Sequence, residues 1–164
     1  WVSITDKFTF LPLFILIIFF LFKKNGTKGL LVILLFISVL ILFTDQFTNV
    51  VKDFTQRLRP CRLDELQGLL RDIDIRCGKY GFFSAHAANS ISVTIFIINC
   101  VDESVKKFLK PVLILWVMIF SYSRIYLGVH YPLDTIFGLS FGIFSGFLFK
   151  YIYNYFISVK VFSD

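Results

Sequence analysis

The chain has 164 residues, of which 57% are hydrophobic and 22 are phenylalanine, more apolar surface than a soluble domain of this length needs. A net charge of +6 would suit a nucleic-acid binder, but in so apolar a chain it fits lysine-bearing loops between membrane spans, and no nucleic-acid partner is expected. Composition therefore predicts one all-α integral membrane domain over residues 1–164.

Five apolar segments predict a polytopic bundle of about five spans: Phe8–Phe22, Gly29–Val51, Ala85–Val101, Pro111–Leu127 and Leu133–Ile157. The first reaches only ~22 Å at ~1.5 Å per residue, short of a ~30 Å hydrocarbon core. It is expected to extend toward Val2 or to tilt little, with Pro12 as a kink point. The first residue, Trp1, is not a start methionine, so a sixth, N-terminal element is allowed for. The first apolar run lacks the basic leader of a cleavable signal peptide. In the last segment Gly138, Gly142 and Gly146 recur every fourth residue and bare one helix face for close packing within the chain.

Lys23, Lys24, Lys28, Lys106, Lys107 and Lys110 fall in short connections on one side, with Lys150 and Lys160. The other side carries Lys7, Lys52, Arg57, Arg59, Arg62, Arg71, Arg76, Lys79 and Arg124. A raw count does not orient the chain. The first set is isolated lysine and reads as cytoplasmic, whereas the second is mainly arginine in one long loop and reads as belonging to a site. The loop at about 52–84 is then extracytoplasmic.

That loop opens with "KDFTQRLRP", where Lys52 and Arg59 are two helical turns apart and Pro60 ends the element. Asp45, a further two turns upstream, is either a partner that holds Lys52 or an ordinary interfacial carboxylate. Next, "GKYGFFSAHAANS" places Ser84 as a cap of the third span, with His86 just behind it. Taken alone, His86 is more often a packing residue than a catalyst. In "SRIYLGVHYPLD", Arg124 ends the fourth span and Pro132 starts the fifth, with Asp134 in its first turn. Four residues separate His130 from Asp134, a workable spacing for a carboxylate to fix an imidazole tautomer. Three cations facing one place call for a multiply charged anion such as phosphate, and two histidines divide attack from proton transfer. Few acids and no paired-cysteine spacing argue against a metal site.

The patterns K-x6-R-P at Lys52–Pro60, S-x-H at Ser84–His86 and S-R-x5-H-x3-D at Ser123–Asp134 resemble the three signatures of the type 2 phosphatidic acid phosphatase family. That family shares its site with vanadium haloperoxidases. The resemblance implies a helical membrane bundle and a phosphatase needing neither metal nor cofactor. It implies His130 as nucleophile, Asp134 as its orienting partner, and His86 as acid and then base. Lys52, Arg59, Ser84 and Arg124 would hold the phosphoryl oxygens. "FSAH" departs from the family's usual P-S-G-H, so Ala85 brings a methyl to where backbone nears phosphate and must sit at torsion angles a side chain permits.

Cys61 and Cys77 bracket a polar segment of the outer loop, and a disulfide there is set slightly ahead of two free thiols. The mixed charges and glycines between them fit a lid. The substrate expected is a membrane-lipid phosphate or diphosphate on the outer leaflet of a bacterial inner membrane, with undecaprenyl diphosphate first. Phosphatidylglycerophosphate, phosphatidic acid and a lipid A phosphate follow. An anion transporter and an inactive lipid-binding protein are the non-enzymatic alternatives, and the oligomeric state is left open.

Overall fold

A computed structural model describes residues 9–66, 68 and 77–161. Helix α1 (Leu11–Thr55) leads through short 3-10 turns at Pro60–Arg62 and Asp64–Leu66 to α2 (Ala85–Cys100), α3 (Glu103–Tyr126) and α4 (Pro132–Val161). The protein is an all-α integral membrane bundle. Helices α1, α3 and α4 are each long and apolar enough to cross a membrane. Helix α2, at 16 residues, reaches ~24 Å and is shorter than a full span.

Helix α1 is broken at Gly26, whose φ of 64° and ψ of −175° lie outside helical space and suit a residue without a side chain. The arms 11–25 and 27–55 line one cavity, Phe14 to Leu21 on the first and Leu34 to Asp45 on the second. They thus form a hairpin. Asn25 pins its turn to the far end of α2, its Nδ2 donating to the Cys100 carbonyl at 3.0 Å, while Lys24 Nζ donates to the Val101 carbonyl at 2.9 Å. The five apolar segments therefore correspond to five helical stretches, two of them joined in α1.

Several boundaries differ from the sequence reading. The first arm lengthens forward to the Gly26 turn, and Val2 lies outside the described residues. Pro12 falls in the first turn of α1, where its missing N–H costs no hydrogen bond and no kink follows. Helix α3 starts at Glu103, ahead of Pro111, because the lysine-bearing stretch is itself amphipathic: Leu109 is buried while Lys107 and Lys110 face out.

Helix α2 is the centre of the bundle. Its contact with α4 runs along the glycine face: a Cβ on Gly138 would sit 2.5 Å from the Ser84 carbonyl oxygen, and one on Gly146 2.9 Å from Ile95 Cβ. Several buried hydroxyls of the bundle satisfy themselves locally. Thr48, Ser90 and Ser145 donate to carbonyls three or four residues back, the arrangement a low-dielectric interior demands. The phenylalanines fill the remaining seams in stacked and edge contacts. Phe47 lies on Phe141 with centroids 4.4 Å apart, and Phe36, Phe96 and Tyr153 pack in mutual contact.

Candidate active site

Three short segments meet at the end of the bundle opposite Gly26. The first follows α1. Gln56 closes the helix in a left-handed conformation (φ 48°), its amide bonded to the Lys52 carbonyl at 2.9 Å. Lys52 therefore occupies the last turn of α1 and Arg59 lies beyond it in extended backbone, so the expected shared helical face does not form. Pro60 is the cause of the extended conformation at Arg59, since proline disfavours the helical region for the residue before it. Instead residues 57–59 pair with 79–81: Gly81 N donates to the Arg57 carbonyl at 2.9 Å and Arg59 N to the Lys79 carbonyl at 3.3 Å.

This frame aims Arg59. Its Nε donates to the Tyr80 carbonyl at 2.9 Å, and its side chain runs over Gly78 and Gly81. A Cβ on Gly81 would stand 3.0 Å from Arg59 Cγ and 3.3 Å from Asp134 Oδ2, so a side chain here would press on both residues. Cys61 and Cys77 are joined as a disulfide, Cα atoms 6.5 Å apart, and Cys61 N donates to the Gly128 carbonyl at 3.0 Å. The loop is thereby tied to the α3–α4 connection. Most of the segment read as a lid, with Arg71 and Arg76, lies outside the described residues.

The second segment is the start of α2. Ser84 is its N-cap, with Oγ accepting from Ala87 N at 3.4 Å. Ser84 N donates to the Asp134 carbonyl at 3.0 Å and locks this end onto α4. Ala85 is the first residue of the helix, so the methyl where the family usually has glycine sits on ordinary helical backbone. His86 packs against Phe120, ring centroids 5.9 Å apart, and feels the charges of Arg124, His130, Arg59 and Lys52.

The third segment is the α3–α4 turn. The Arg124 carbonyl accepts from both Val129 N and His130 N at 3.2 Å, and Gly128 turns the chain at φ 66°. His130 and Asp134 are buried. Nδ1 of His130 lies 3.5 Å from Asp134 Oδ2, an electrostatic contact longer than a formed hydrogen bond. Asp134 is held by other donors: Tyr131 N to Oδ2 at 3.0 Å and Arg57 Nη1 to Oδ1 at 2.9 Å. Arg57 also lies over the Tyr131 ring, 4.2 Å from its centroid. Burial holds the His130 imidazole below its ordinary 6.5; Asp134 opposes this, and the Arg59 and Arg124 charges add to it.

All seven motif side chains thus lie at one end of the bundle. Arg59 stands near both Lys52 and Arg124, a gathering of cations that an anion would relieve. The Arg124 Nε is buried without a hydrogen-bond partner among the described residues. Among those residues no group of three His, Cys, Asp or Glu is placed to hold a metal ion.

Of the two readings of Asp45, a direct ion pair with Lys52 is not the one formed: Lys52 is two turns further along the same helix, roughly 10 Å by rise, and the two interact through their charges only. Asp45 Oδ1 instead accepts from Asn89 Nδ2 at 2.8 Å, and Asn89 Oδ1 accepts from Thr44 Oγ1. Asn89 is a residue that sequence reasoning missed, and Arg57 was placed among the site-side cations but not against Asp134. Their partners lie 44 and 77 positions away, and neither belongs to a motif. Asp45, Asn89 and His86 rim an apolar cavity of about 600 Å³, which runs between the α1 arms, α2 and α3 toward Leu21 and Ile97.

A family model described as the PAP2 superfamily matches residues 29–158. A "Lipid A 4'-phosphatase" of Bacteroides thetaiotaomicron is 35% identical over 153 residues, 92% of this chain and 67% of that protein. Another, of Porphyromonas gingivalis, is 33% identical over 154 residues, 93% of this chain and 64% of that protein. The chain thus spans about two thirds of the length of these curated relatives. Among solved structures, a transmembrane PAP2 type phosphatidylglycerolphosphate phosphatase from Bacillus subtilis superposes with a TM-score of 0.66 at 23% identity, over 91% of this chain and 71% of that one. Aquifex aeolicus LpxE superposes at 0.60 and 23% identity, over 88% of this chain and 77% of that one. These two structures speak for the fold, which the helical bundle shares with them. With its three signature stretches folded to one end and the family match running through all of them, the chain belongs to the PAP2 superfamily.

Proposed function

We propose that the protein removes a phosphate from a membrane lipid by way of a phosphohistidine on His130. Its class, a membrane lipid phosphatase, follows from family membership; the residue roles and the lipid are the proposal. The observation that carries it is the buried His130–Asp134 pair set among Lys52, Arg59 and Arg124.

In this reading His130 Nδ1–H faces the Asp134 carboxylate, which leaves Nε2 as a free base. Nε2 attacks phosphorus, the bond to the lipid oxygen breaks, and His86, protonated once the bound phosphate offsets the surrounding cations, delivers its proton to that oxygen. His86 then takes a proton from water, whose oxygen displaces His130 and releases phosphate. Lys52, Arg59, Arg124 and the Ser84 hydroxyl hold the equatorial oxygens, where charge gathers in the transition state. Asp134 stabilises the phosphorylated imidazolium. Arg57 and Tyr131 N keep that carboxylate aimed.

The apolar cavity beside His86 receives the substrate's acyl chain. Its walls match a lipid tail, and His86 lines it at the site end. The curated relatives, named as lipid A 4'-phosphatases, move a lipid A phosphate ahead of undecaprenyl diphosphate as the preferred substrate. In this reading the site faces the periplasm, because the isolated lysines of the short connections mark the opposite end as cytoplasmic. Purified protein incubated without metal is expected to release phosphate from lipid A faster than from undecaprenyl diphosphate or phosphatidic acid. Faster turnover of the prenyl lipid would reverse the substrate assignment, and no turnover of any would remove the enzymatic reading.

A further inference from the structure

A second cavity, of about 370 Å³, lies between α2, α3 and α4 at the Gly26 end of the bundle. Asn99, on its rim, belongs to the last turn of α2, so this rim is roughly 20 Å by helical rise from His86. The wall is apolar: Ile91, Ile95 and Ile98 come from α2, Ile114 from α3, and Ile143 and Phe147 from α4. Ile114, Ile143 and Phe147 are 42%, 43% and 54% exposed, so the cavity opens sideways, where the hydrocarbon of a bilayer lies.

Its charged rim is of one sign. Lys106 and Lys110 stand one turn apart on α3, a like-charge spacing that disfavours the helix, and Lys150 approaches from α4. Among the described residues one carboxylate lies within ion-pair distance of the three, Glu103, whose Oε1 accepts from Lys106 Nζ at 2.8 Å. Lys150 Nζ lies 5.9 Å from the Phe147 ring centroid, its stem along the apolar wall and its charge at the rim.

We propose that this groove binds an anionic phospholipid, with its phosphate between Lys106, Lys110 and Lys150 and one acyl chain along the isoleucine wall. Each half of the site needs the matching half of the ligand. A free anion has no use for the wall, and a zwitterionic lipid places an ammonium against three others. A basic pocket between helices at a membrane surface is a chemistry that anionic headgroups favour. The bound lipid joins α3 to α4 at the ends remote from Arg124 and Asp134. It therefore stabilises the bundle without entering the active centre.

The test titrates the purified full-length chain in detergent with phosphatidylglycerol or phosphatidylcholine, counting bound lipid by native mass spectrometry. Phosphatidylglycerol is expected to bind saturably and more tightly than phosphatidylcholine. The double substitution Lys110→Gln with Lys150→Gln should weaken it at least roughly tenfold. Lys23→Gln with Lys28→Gln, at the same end but outside the groove, should change it by less than about twofold. Ile143→Trp, which fills the wall and leaves the charge intact, should also lose the lipid, and it decides the matter if the double variant does not fold. Phosphatase turnover of a short-chain lipid reports that each variant is folded. Equal binding of the two lipids, or equal loss from both lysine pairs, would overturn the site in favour of diffuse attraction to a basic surface.

Discussion

Asp134 is fully buried and ionisable, and every donor around it bears on what His130 can do. Arg57 and the Tyr131 amide satisfy the carboxylate before any substrate arrives, so it stays fixed while the His130 contact remains at 3.5 Å. That contact is expected to shorten when the imidazole gains positive charge on phosphorylation. The pH dependence follows from the same neighbours. Burial lowers the His130 pKa below 6.5, so the imidazole is neutral at pH 7 and is lost as a nucleophile only as pH falls through that lowered value. The acidic limb of kcat/KM should therefore lie below 6.5. Asp134 acts against that lowering, so Asp134→Asn should move the limb to still lower pH while kcat falls by roughly a hundredfold or more. A limb that stays in place would show that Asp134 does no more than start α4.

At the scale of elements, the site depends on how closely α2 and α4 approach. A Cβ on Gly142 would run into the Ala88 carbonyl and Ile91, and backbone cannot yield as a flexible side chain does. Gly142→Leu should cost about 1–3 kcal/mol or more and lower activity with it, because Ser84 and Asp134 are bonded across the same seam. Thermal unfolding in detergent checks the cost, and an unchanged midpoint would mean that the helices are free to part. This seam was legible in the sequence, since glycines at every fourth residue bare a helix face whatever packs on it. So were the cap at Ser84, the start of α4 at Pro132 and the His130–Asp134 spacing, all of which are local. The path of Arg59 was not. A motif spacing says which residues belong together, but the 57–59 and 79–81 pairing that aims the guanidinium is a tertiary contact. Asp45 was left between two readings for the same reason: periodicity along α1 offered Lys52 or an ordinary interfacial carboxylate, whereas Asn89 on a different helix supplies the donor.

At the scale of the whole molecule, the two ends of the bundle are divided by chemistry. One gathers arginine, histidine and aspartate about a single centre, and the other carries dispersed lysines around the Gly26 turn. The cavity beside His86 joins the reactive end to the apolar interior, so in the proposed reaction tail recognition and phosphate chemistry share one wall of α2. Leu34 lines the deep part of that cavity and is 38% exposed, so a larger residue fits there without displacing buried core. Leu34→Trp should raise KM for long-chain lipid phosphates by roughly tenfold and leave short-chain substrates near their original values. An equal effect on both would place the tail elsewhere. The hairpin of α1 that builds this cavity was legible as two apolar runs joined by a short lysine connection, but hydropathy carries no signal for the bonds from Lys24 and Asn25 that pin its turn to α2.

The most direct test of a nucleophilic His130 is to look for the bond it forms. Protein mixed with a lipid carrying radiolabelled phosphate, then quenched within a single turnover, should hold label that is labile to acid and stable to alkali. The label should accumulate in His86→Ala, where hydrolysis of the intermediate is slowed, and be absent from His130→Ala. Release of labelled phosphate at full rate by His130→Ala, or turnover in which no label ever reaches the protein, would contradict the account.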